Sequence, residues 1–326
     1  MCAVMYLLMH MKSLGLVAST LISGAALALG AAAGAPLAGA ATSSSGSSFA
    51  DALKLSSTIG KALATGGTVR SEGTVSVSGQ GERSYILYVP EDYDVESSYP
   101  VVFAYSGWTH PAAQGDGYMH IQSASGSNAI VVYPEPRANA EGVVGWEGPT
   151  YAPTQRGEDV AFTKAILEQL AGQYNVDRNR VYATGLSNGG GMALADACQA
   201  PEVFAAVAGV ASATYTPVLE SCSGMVPTLL IHGTEDGTIN YANDGTGLGG
   251  PYYSTRTAFA RIGNQNGCNT SGDNLVTREG DGYTSFHYRG CTDTVLYRVN
   301  GGTHTWFPSS PTATREVWNF LQTHTK

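Results

Sequence analysis

Val181-Tyr-Ala-Thr-Gly-Leu-Ser-Asn-Gly-Gly-Gly191 is the stretch that decides the fold. A short apolar strand leads into the pattern Gly-x-Ser-x-Gly, and a helix-forming segment, Met192–Cys198, follows at once. In this setting the pattern is typical of a nucleophile elbow, a tight turn that exposes the serine hydroxyl. Gly185 and Gly189 are required there because larger side chains would collide with the neighbouring strand or helix. The alternative is an ordinary glycine-rich turn, but the flanking strand and helix favour the elbow, with Ser187 as nucleophile.

Apolar strands alternate with helical segments on both sides of the elbow. The predicted strands are Pro100–Tyr105, Ala129–Tyr133, Val181–Thr184, Ala205–Ala211, Thr228–His232 and Thr294–Val299. Besides the helix of the elbow, helices are predicted at Glu158–Tyr174, Tyr252–Ile262 and Thr312–His324. A hairpin formed by Thr74–Ser78 and Ser84–Val89 precedes them and supplies antiparallel edge strands. The alternation predicts a mostly parallel central sheet with helices on both faces, which together with the elbow is the α/β-hydrolase fold.

A serine hydroxyl needs a histidine to accept its proton and a carboxylate to orient that histidine. In this fold the order along the chain is serine, acid, histidine. The acid is predicted to be Asp236, in the turn after the strand that ends at His232, with Glu235 as its rival. His232 itself is interpreted as a packed, hydrogen-bonded histidine. The base is predicted to be His304, which follows the last strand and two glycines. The remaining histidines of this region fit the order less well: His110, His120, His287 and His324.

An acyl-transfer site must also stabilise an oxyanion, and two backbone N–H groups are expected to do so. One is the N–H of Asn188, directly after the nucleophile. The other is expected from the loop Ser106–Thr109, which follows an early strand. We predict the N–H of Trp108, with Thr109 as the alternative; an ordinary glycine turn is the competing interpretation.

Three tryptophans lie near these loops in the sequence and are candidate substrate contacts, together with Thr109: Trp108, Trp146 and Trp306. The competing interpretation is core packing, because buried aromatic side chains are common. No Leu/Ile/Val-rich lid of the lipase kind is evident in the sequence. The pocket is therefore expected to prefer a compact or aromatic acyl group over a long aliphatic chain.

The composition argues against several classes of partner. Only 13% of residues are charged, the net charge is −9, and no run of Lys and Arg occurs. Nucleic acids and anionic membrane surfaces are therefore disfavoured. We expect a monomer that acts on a small or polymeric ester.

The first 40 residues have the features of a signal peptide. Lys12 precedes an Ala/Leu/Gly-rich run, Leu14–Ala33, and Ala38-Gly-Ala40 offers small residues for cleavage after Ala40. A membrane anchor is the alternative, disfavoured because no basic cluster follows the run. We therefore expect a secreted protein, with residues 41–71 as linker and N-terminal extension and residues 72–326 as one catalytic domain.

Four cysteines lie beyond the predicted cleavage point: Cys198, Cys222, Cys268 and Cys291. An even number in an exported protein indicates disulfides. Three pairings are possible, and the pairing of sequence neighbours, Cys198–Cys222 and Cys268–Cys291, is the one we predict. A zinc site is the alternative, but no Cys-x-x-Cys pair is present. We expect neither a metal nor a cofactor.

The blocks Gly185–Gly190, His232–Tyr241 and Gly301–Trp306 resemble the serine, aspartate and histidine blocks of the extracellular polyhydroxybutyrate depolymerase/feruloyl esterase family. Gly157–Phe162 is similar to the family's helix start before the elbow. In the family the early strand usually ends Leu-His-Gly, whereas here it ends Tyr105-Ser-Gly107.

The resemblance implies a secreted serine esterase that works through an acyl-enzyme, and its cysteine positions imply the same two disulfides. A feruloyl esterase acting on plant polysaccharide is the leading interpretation. The alternatives are a polyhydroxyalkanoate depolymerase or oligomer hydrolase, an acyltransferase, and a binding protein without catalysis.

Overall fold

The computed structural model describes residues 67–326, and these belong to one structural unit. The expected signal peptide and most of the expected linker lie outside the described residues. The first described strand begins at Thr68, four residues before the predicted start of the catalytic domain at residue 72, and Thr68–Ser71 pair with Leu87–Pro90. The hairpin therefore extends beyond its alternating part.

The described residues contain fourteen strands: β1 Thr68–Val77, β2 Gly81–Pro90, β3 Tyr99–Tyr105, β4 Ile130–Pro134, β5 Arg137–Ala138, β6 Val144–Gly145, β7 Val176–Leu186, β8 Ala206–Val210, β9 Thr228–Gly233, β10 Gly245–Gly247, β11 Gly250–Tyr252, β12 Leu275–Glu279, β13 Tyr283–Tyr288 and β14 Thr294–Val299. Ten of them form one sheet in the order β1-β2-β4-β3-β7-β8-β9-β14-β13-β12. The strands from β4 to β14 in this order run parallel, and antiparallel strands close both edges.

Six α-helices lie in the described residues: α1 Ala112–Met119, α2 Ile121–Ser125, α3 Glu158–Ala171, α4 Asn188–Gln199, α5 Thr255–Gln265 and α6 Ala313–Leu321. Buried residues of α3, α4 and α5 pack on one face of the sheet, and those of α1, α2 and α6 pack on the other. Strand β3 shows the alternation that separates the two cores. Its Val101 and Phe103 belong to the first core, while Val102 and Ala104 belong to the second. The predicted α/β-hydrolase architecture is confirmed.

Several element boundaries differ from the predicted ones. The predicted helix Tyr252–Ile262 begins later, at Thr255, because Ser254 caps it by accepting a hydrogen bond from the Thr257 N–H. Tyr252 belongs instead to β11. The strand pair β12–β13 at the far edge has little sequence signal, since much of β12 is exposed and lacks an apolar pattern. Within residues 67–326 no helix has the length and apolar character needed to cross a bilayer.

Both predicted disulfides are present. Cys198–Cys222 joins the end of α4 to the segment between β8 and β9. Cys268–Cys291 joins the segment after α5 to the segment before β14. Each disulfide therefore links a helix on the first face of the sheet, or the segment that follows it, to the segment that leads into a strand of the sheet.

Candidate active site

The turn at Ser187 has the strained backbone expected of an elbow. Ser187 has φ 55° and ψ −117°, a conformation that residues with side chains rarely adopt. The turn is held by Ser187 N–H, which donates to Val210 O at 2.9 Å. A Cβ at Gly185 would overlap the backbone of Gly189, and one at Gly189 would overlap that of Tyr105. Both glycines are therefore required by the close approach of α4 to β3.

Three side chains from the ends of three parallel strands form a hydrogen-bonded chain. Ser187 follows β7, Asp236 follows β9 and His304 follows β14. His304 Nε2 lies 2.8 Å from Ser187 Oγ, and His304 Nδ1 lies 2.7 Å from Asp236 Oδ2. The Asp236 side chain is fully buried, whereas that of His304 is 22% exposed. This geometry allows a proton to pass from the serine to the histidine while the carboxylate holds the ring.

Asp236 is held as an anion by four donors. Its Oδ1 accepts from the backbone N–H groups of Thr238 and Ile239, at 2.8 and 2.9 Å. Its Oδ2 faces His304 Nδ1 and also His232 Nε2, the latter at 3.0 Å. Burial alone would raise the pKa of Asp236, but the hydrogen bonds from His232 and His304 lower that pKa well below its ordinary value. The carboxylate therefore keeps its charge across the neutral range.

Glu235 and His232, the rivals of Asp236 and His304, are not in the hydrogen-bonded chain that ends at Ser187. Glu235 is exposed, while its N–H donates to Gly302 O. His232 is 2% exposed, as expected of a packed, hydrogen-bonded histidine, and its Nε2 lies 3.0 Å from both Asp236 Oδ2 and Ile239 O. The sequence signal for this contact is that His232 precedes Asp236 by four residues, across a tight turn.

Hydrogen bonding within the loop after β3 leaves one candidate oxyanion donor. Gly107 N–H donates to Tyr118 Oη at 2.9 Å, and Thr109 N–H donates to Val144 O at 3.0 Å. Trp108 N–H, by contrast, has no acceptor among residues 67–326. The N–H of Asn188, at the start of α4, is one of the donors that a helix leaves open at its N-terminus. The N–H of Thr109, the alternative to Trp108, is bound to Val144 O and so is not available to an oxyanion.

Comparisons with known proteins match this architecture. A family model described as Esterase matches residues 76–245, more than half of the chain. Feruloyl esterase D from Neurospora crassa is 30% identical over 285 residues, which cover 78% of this chain and 87% of the relative. The chain belongs to the esterase family. It is a carboxylic ester hydrolase of the feruloyl esterase-like serine esterases.

Solved structures place the esterase in the same fold class. An acetyl xylan esterase from Aspergillus awamori has a TM-score of 0.56 and 19% identity, covering 77% of this chain and 99% of that one. An S-formylglutathione hydrolase from Agrobacterium tumefaciens has a TM-score of 0.55 and 15% identity, covering 80% and 97%. At these identities the likeness concerns the fold alone.

The aromatic side chains predicted as substrate contacts divide into two groups. Trp108 is partly exposed, and its ring lies 4.7 Å from that of Tyr151, so it remains available at the site. Trp146 is fully buried, and its indole N–H donates to Ser106 O at 2.8 Å. Trp306 is 4% exposed and donates to Thr314 Oγ1. The prediction that Trp146 and Trp306 contact substrate is therefore wrong, because neither indole has a free face. Thr109 is exposed on the oxyanion loop.

Trp146 nonetheless connects the two predicted oxyanion donors. Its backbone N–H donates to Asn188 Oδ1 at 2.8 Å, and its carbonyl accepts from Asn188 Nδ2 at 3.2 Å. Its indole N–H holds the carbonyl of Ser106, two residues before Trp108. The segment around Trp146 thus fixes the elbow and the Ser106–Thr109 loop relative to each other. Sequence reasoning missed this role of the Asn188 side chain.

A buried acidic network anchors the segment that carries Trp146. The carboxylate of Glu147 accepts from the N–H groups of Gly157 and Asp159 and from Gln199 Nε2. Asp159 in turn pairs with Arg83 at 2.7 Å, and both side chains are at most 5% exposed. Breaking such a buried pair leaves an uncompensated charge. The network therefore stabilises the position of the segment that carries Trp146.

His110 lies on the exposed side of the site, beside His304. Burial, and then the neighbouring His304, lower the pKa of His110 below its ordinary value. A neutral His110 avoids placing a second positive charge next to His304.

Proposed function

We propose that this esterase is a secreted feruloyl esterase that hydrolyses esters on plant polysaccharide through Ser187, His304 and Asp236. The observation that carries the proposal is the hydrogen-bonded chain of these three side chains, with distances of 2.8 and 2.7 Å. The substrate class is supported by the 30% identity to feruloyl esterase D across most of both chains.

In the first half-reaction Ser187 Oγ attacks the ester carbonyl as His304 Nε2 takes its proton. The negative charge that develops on the carbonyl oxygen is stabilised by the N–H groups of Asn188 and Trp108. The C–O bond to the alcohol then breaks, and His304 returns the proton to the leaving alkoxide. Asp236 stays ionised and stabilises the imidazolium that forms in between.

In the second half-reaction a water molecule takes the place of the alcohol. His304 removes a proton from that water as its oxygen attacks the acyl-enzyme. Collapse of the intermediate releases the carboxylic acid, and the proton on His304 returns to Ser187. The loop around Trp108 offers the partly exposed ring surface that an aromatic acyl group can contact.

A panel of esters tests the substrate class. The expected order of kcat/KM is methyl ferulate above p-nitrophenyl acetate, with p-nitrophenyl palmitate far below both. Ring contacts add roughly 0.5–1.5 kcal/mol beyond simple burial for the aromatic acyl group. A preference for hydroxybutyrate oligomers over methyl ferulate would establish the polyester alternative, and a preference for palmitate would contradict both.

Secretion is tested at the N-terminus of the mature chain. Two disulfides among the described residues are consistent with an oxidising compartment. Mass spectrometry of protein recovered from the culture medium should find Ala41 as the first residue. Retention of Leu14–Ala33 in membrane-bound protein would instead support the anchor alternative.

A further inference from the structure

A second concave site lies outside the Ser187–His304–Asp236 chain. It is a cavity of about 840 Å³ between α5 and the strands β12 to β14. Its lining includes Tyr241, Arg256, Arg261, Phe286, Tyr288 and Arg298, and none of the three site residues. The volume lies within the range of pockets that bind small organic molecules, roughly 300–1,000 Å³.

The lining of this cavity is positive in a protein whose net charge is −9. It contains three arginines and no aspartate or glutamate. Within the described part of the chain, none of the three forms a salt bridge. Asp244 attracts Arg261, which contributes to the lowered pKa of that carboxyl, so among the described residues the charges without an acidic partner are those of Arg256 and Arg298. The cavity therefore presents unpaired positive charge to a ligand.

Two of the guanidinium groups contact uncharged neighbours that hold them in place. Arg298 donates to Thr284 Oγ1 at 3.0 Å and lies 5.2 Å above the ring of Phe286. Arg261 lies 4.3 Å above the ring of Tyr253. Such contacts fix the fork of donors that binds a carboxylate through two hydrogen bonds. Arg256 is exposed at the edge of the same cavity and can adjust to the ligand.

The chemistry of the lining defines the class of ligand. The arginines require an anion, and a carboxylate matches the guanidinium fork. A small inorganic ion would leave most of the 840 Å³ empty. Tyr241 and Phe286 are partly exposed there and offer apolar faces to a ring. A sugar ring that carries a carboxylate satisfies both requirements.

We propose that this cavity binds a uronic-acid-containing saccharide, at a site separate from ester hydrolysis. Bound there, an acidic polysaccharide is held on the enzyme that is proposed to hydrolyse its esters. The binding step involves no covalent chemistry, so it does not depend on the proposed catalytic roles.

The test is calorimetric titration of the full-length Ser187→Ala protein with trigalacturonic acid, xylotriose and benzoate. Trigalacturonic acid should bind, more weakly as salt is added, while xylotriose and benzoate should bind at least about 10-fold more weakly. Absence of trigalacturonate binding would overturn the proposal. Equal binding of xylotriose would remove the role of the charge, and equal binding of benzoate would remove the role of the saccharide.

Two arginine variants and one control locate the site. Arg256→Gln and Arg298→Gln should each weaken trigalacturonate binding about 10-fold, the loss expected for one hydrogen bond to a charged group. Arg315→Gln removes the same charge from α6, on the opposite face of the sheet, and should leave binding unchanged. An equal loss in all three would place the saccharide elsewhere. Because Arg256 is exposed, its variant keeps the test valid if Arg298→Gln reduces folding. Arg256→Gln made in the protein that retains Ser187 should hydrolyse p-nitrophenyl acetate at an unchanged rate.

Discussion

Replacement of His232 by leucine should move the acid limb of the pH–rate profile to higher pH. His232 Nε2 lies 3.0 Å from Asp236 Oδ2, the oxygen that also receives His304 Nδ1 at 2.7 Å, and 3.0 Å from Ile239 O, so its N–H is shared between two acceptors. In the variant this oxygen loses one of its two donors. The carboxylate then attracts the proton on His304 more strongly. Because only neutral His304 can accept the proton of Ser187, activity at the acidic end should fall.

The size of the shift follows from the geometry around the carboxylate. A hydrogen bond to a charged group contributes about 1.5–3 kcal/mol, and one pKa unit corresponds to 1.36 kcal/mol. In the variant the N–H groups of Thr238 and Ile239 still donate to Asp236 Oδ1, and His304 still donates to Oδ2. Only part of the effect therefore reaches His304, and we expect the midpoint of the acid limb to rise by about 0.5–1 pH unit.

Other ionisable groups near His232 should not obscure this shift. The ring of Tyr241 lies 6.4 Å away, and burial raises the pKa of its hydroxyl, so that group stays neutral through the assay range. His110, on the other side of His304, has a lowered pKa and is unchanged by the substitution.

The assay is kcat/KM for p-nitrophenyl acetate between about pH 5 and 8.5, the range in which histidines titrate. His232→Gln, whose amide can replace the donor, should restore the position of the acid limb. His287→Gln, a histidine on β13, serves as the control and should match the unmodified protein. Coincident acid limbs for His232→Leu and the unmodified protein would refute the reasoning. A shift that His232→Gln does not reverse would show that packing, and not the hydrogen bond, is responsible.

Three further predictions concern the oxyanion loop, the disulfides and acid stability. Tyr118→Phe removes the acceptor for Gly107 N–H, so kcat should fall about 10-fold with little change in KM, and an unchanged kcat would show that the loop needs no such support. Joint replacement of Cys268 and Cys291 by serine should lower the free energy of unfolding by roughly 2–4 kcal/mol in urea titrations; an unchanged midpoint would mean that the cross-link contributes nothing. The stabilisation from the lowered pKa of Asp236 is present above about pH 4 and should be lost as pH falls further; Asp236→Asn should flatten that acid limb of the stability curve.

The elbow and the fold could be predicted because their signals are local. The pattern Gly185-Leu-Ser-Asn-Gly189 can be recognised from neighbouring residues, although the contact that requires Gly189 is with the backbone of Tyr105. The apolar run of each strand directly reflects its burial. The order serine, acid, histidine then follows from the chain direction in this fold. Asp236 and His304 could be selected without knowing any distance.

The failures arise where burial depends on distant parts of the chain. A tryptophan in a loop near the site has the same sequence signature whether it faces substrate or core. Trp146 packs against Tyr105, and its backbone binds the side chain of Asn188, 42 residues away. The arginine-lined cavity likewise could not be predicted from the sequence, because its arginines come from α5 and β14 and share no motif. Such features need the tertiary structure.

The central claim is that Ser187 is the nucleophile, and turnover of methyl ferulate by Ser187→Ala tests it most directly. The account predicts a loss in kcat/KM on the order of 10⁴-fold or more, with an unchanged circular dichroism spectrum and melting temperature. Near-normal turnover by this folded variant would contradict the account.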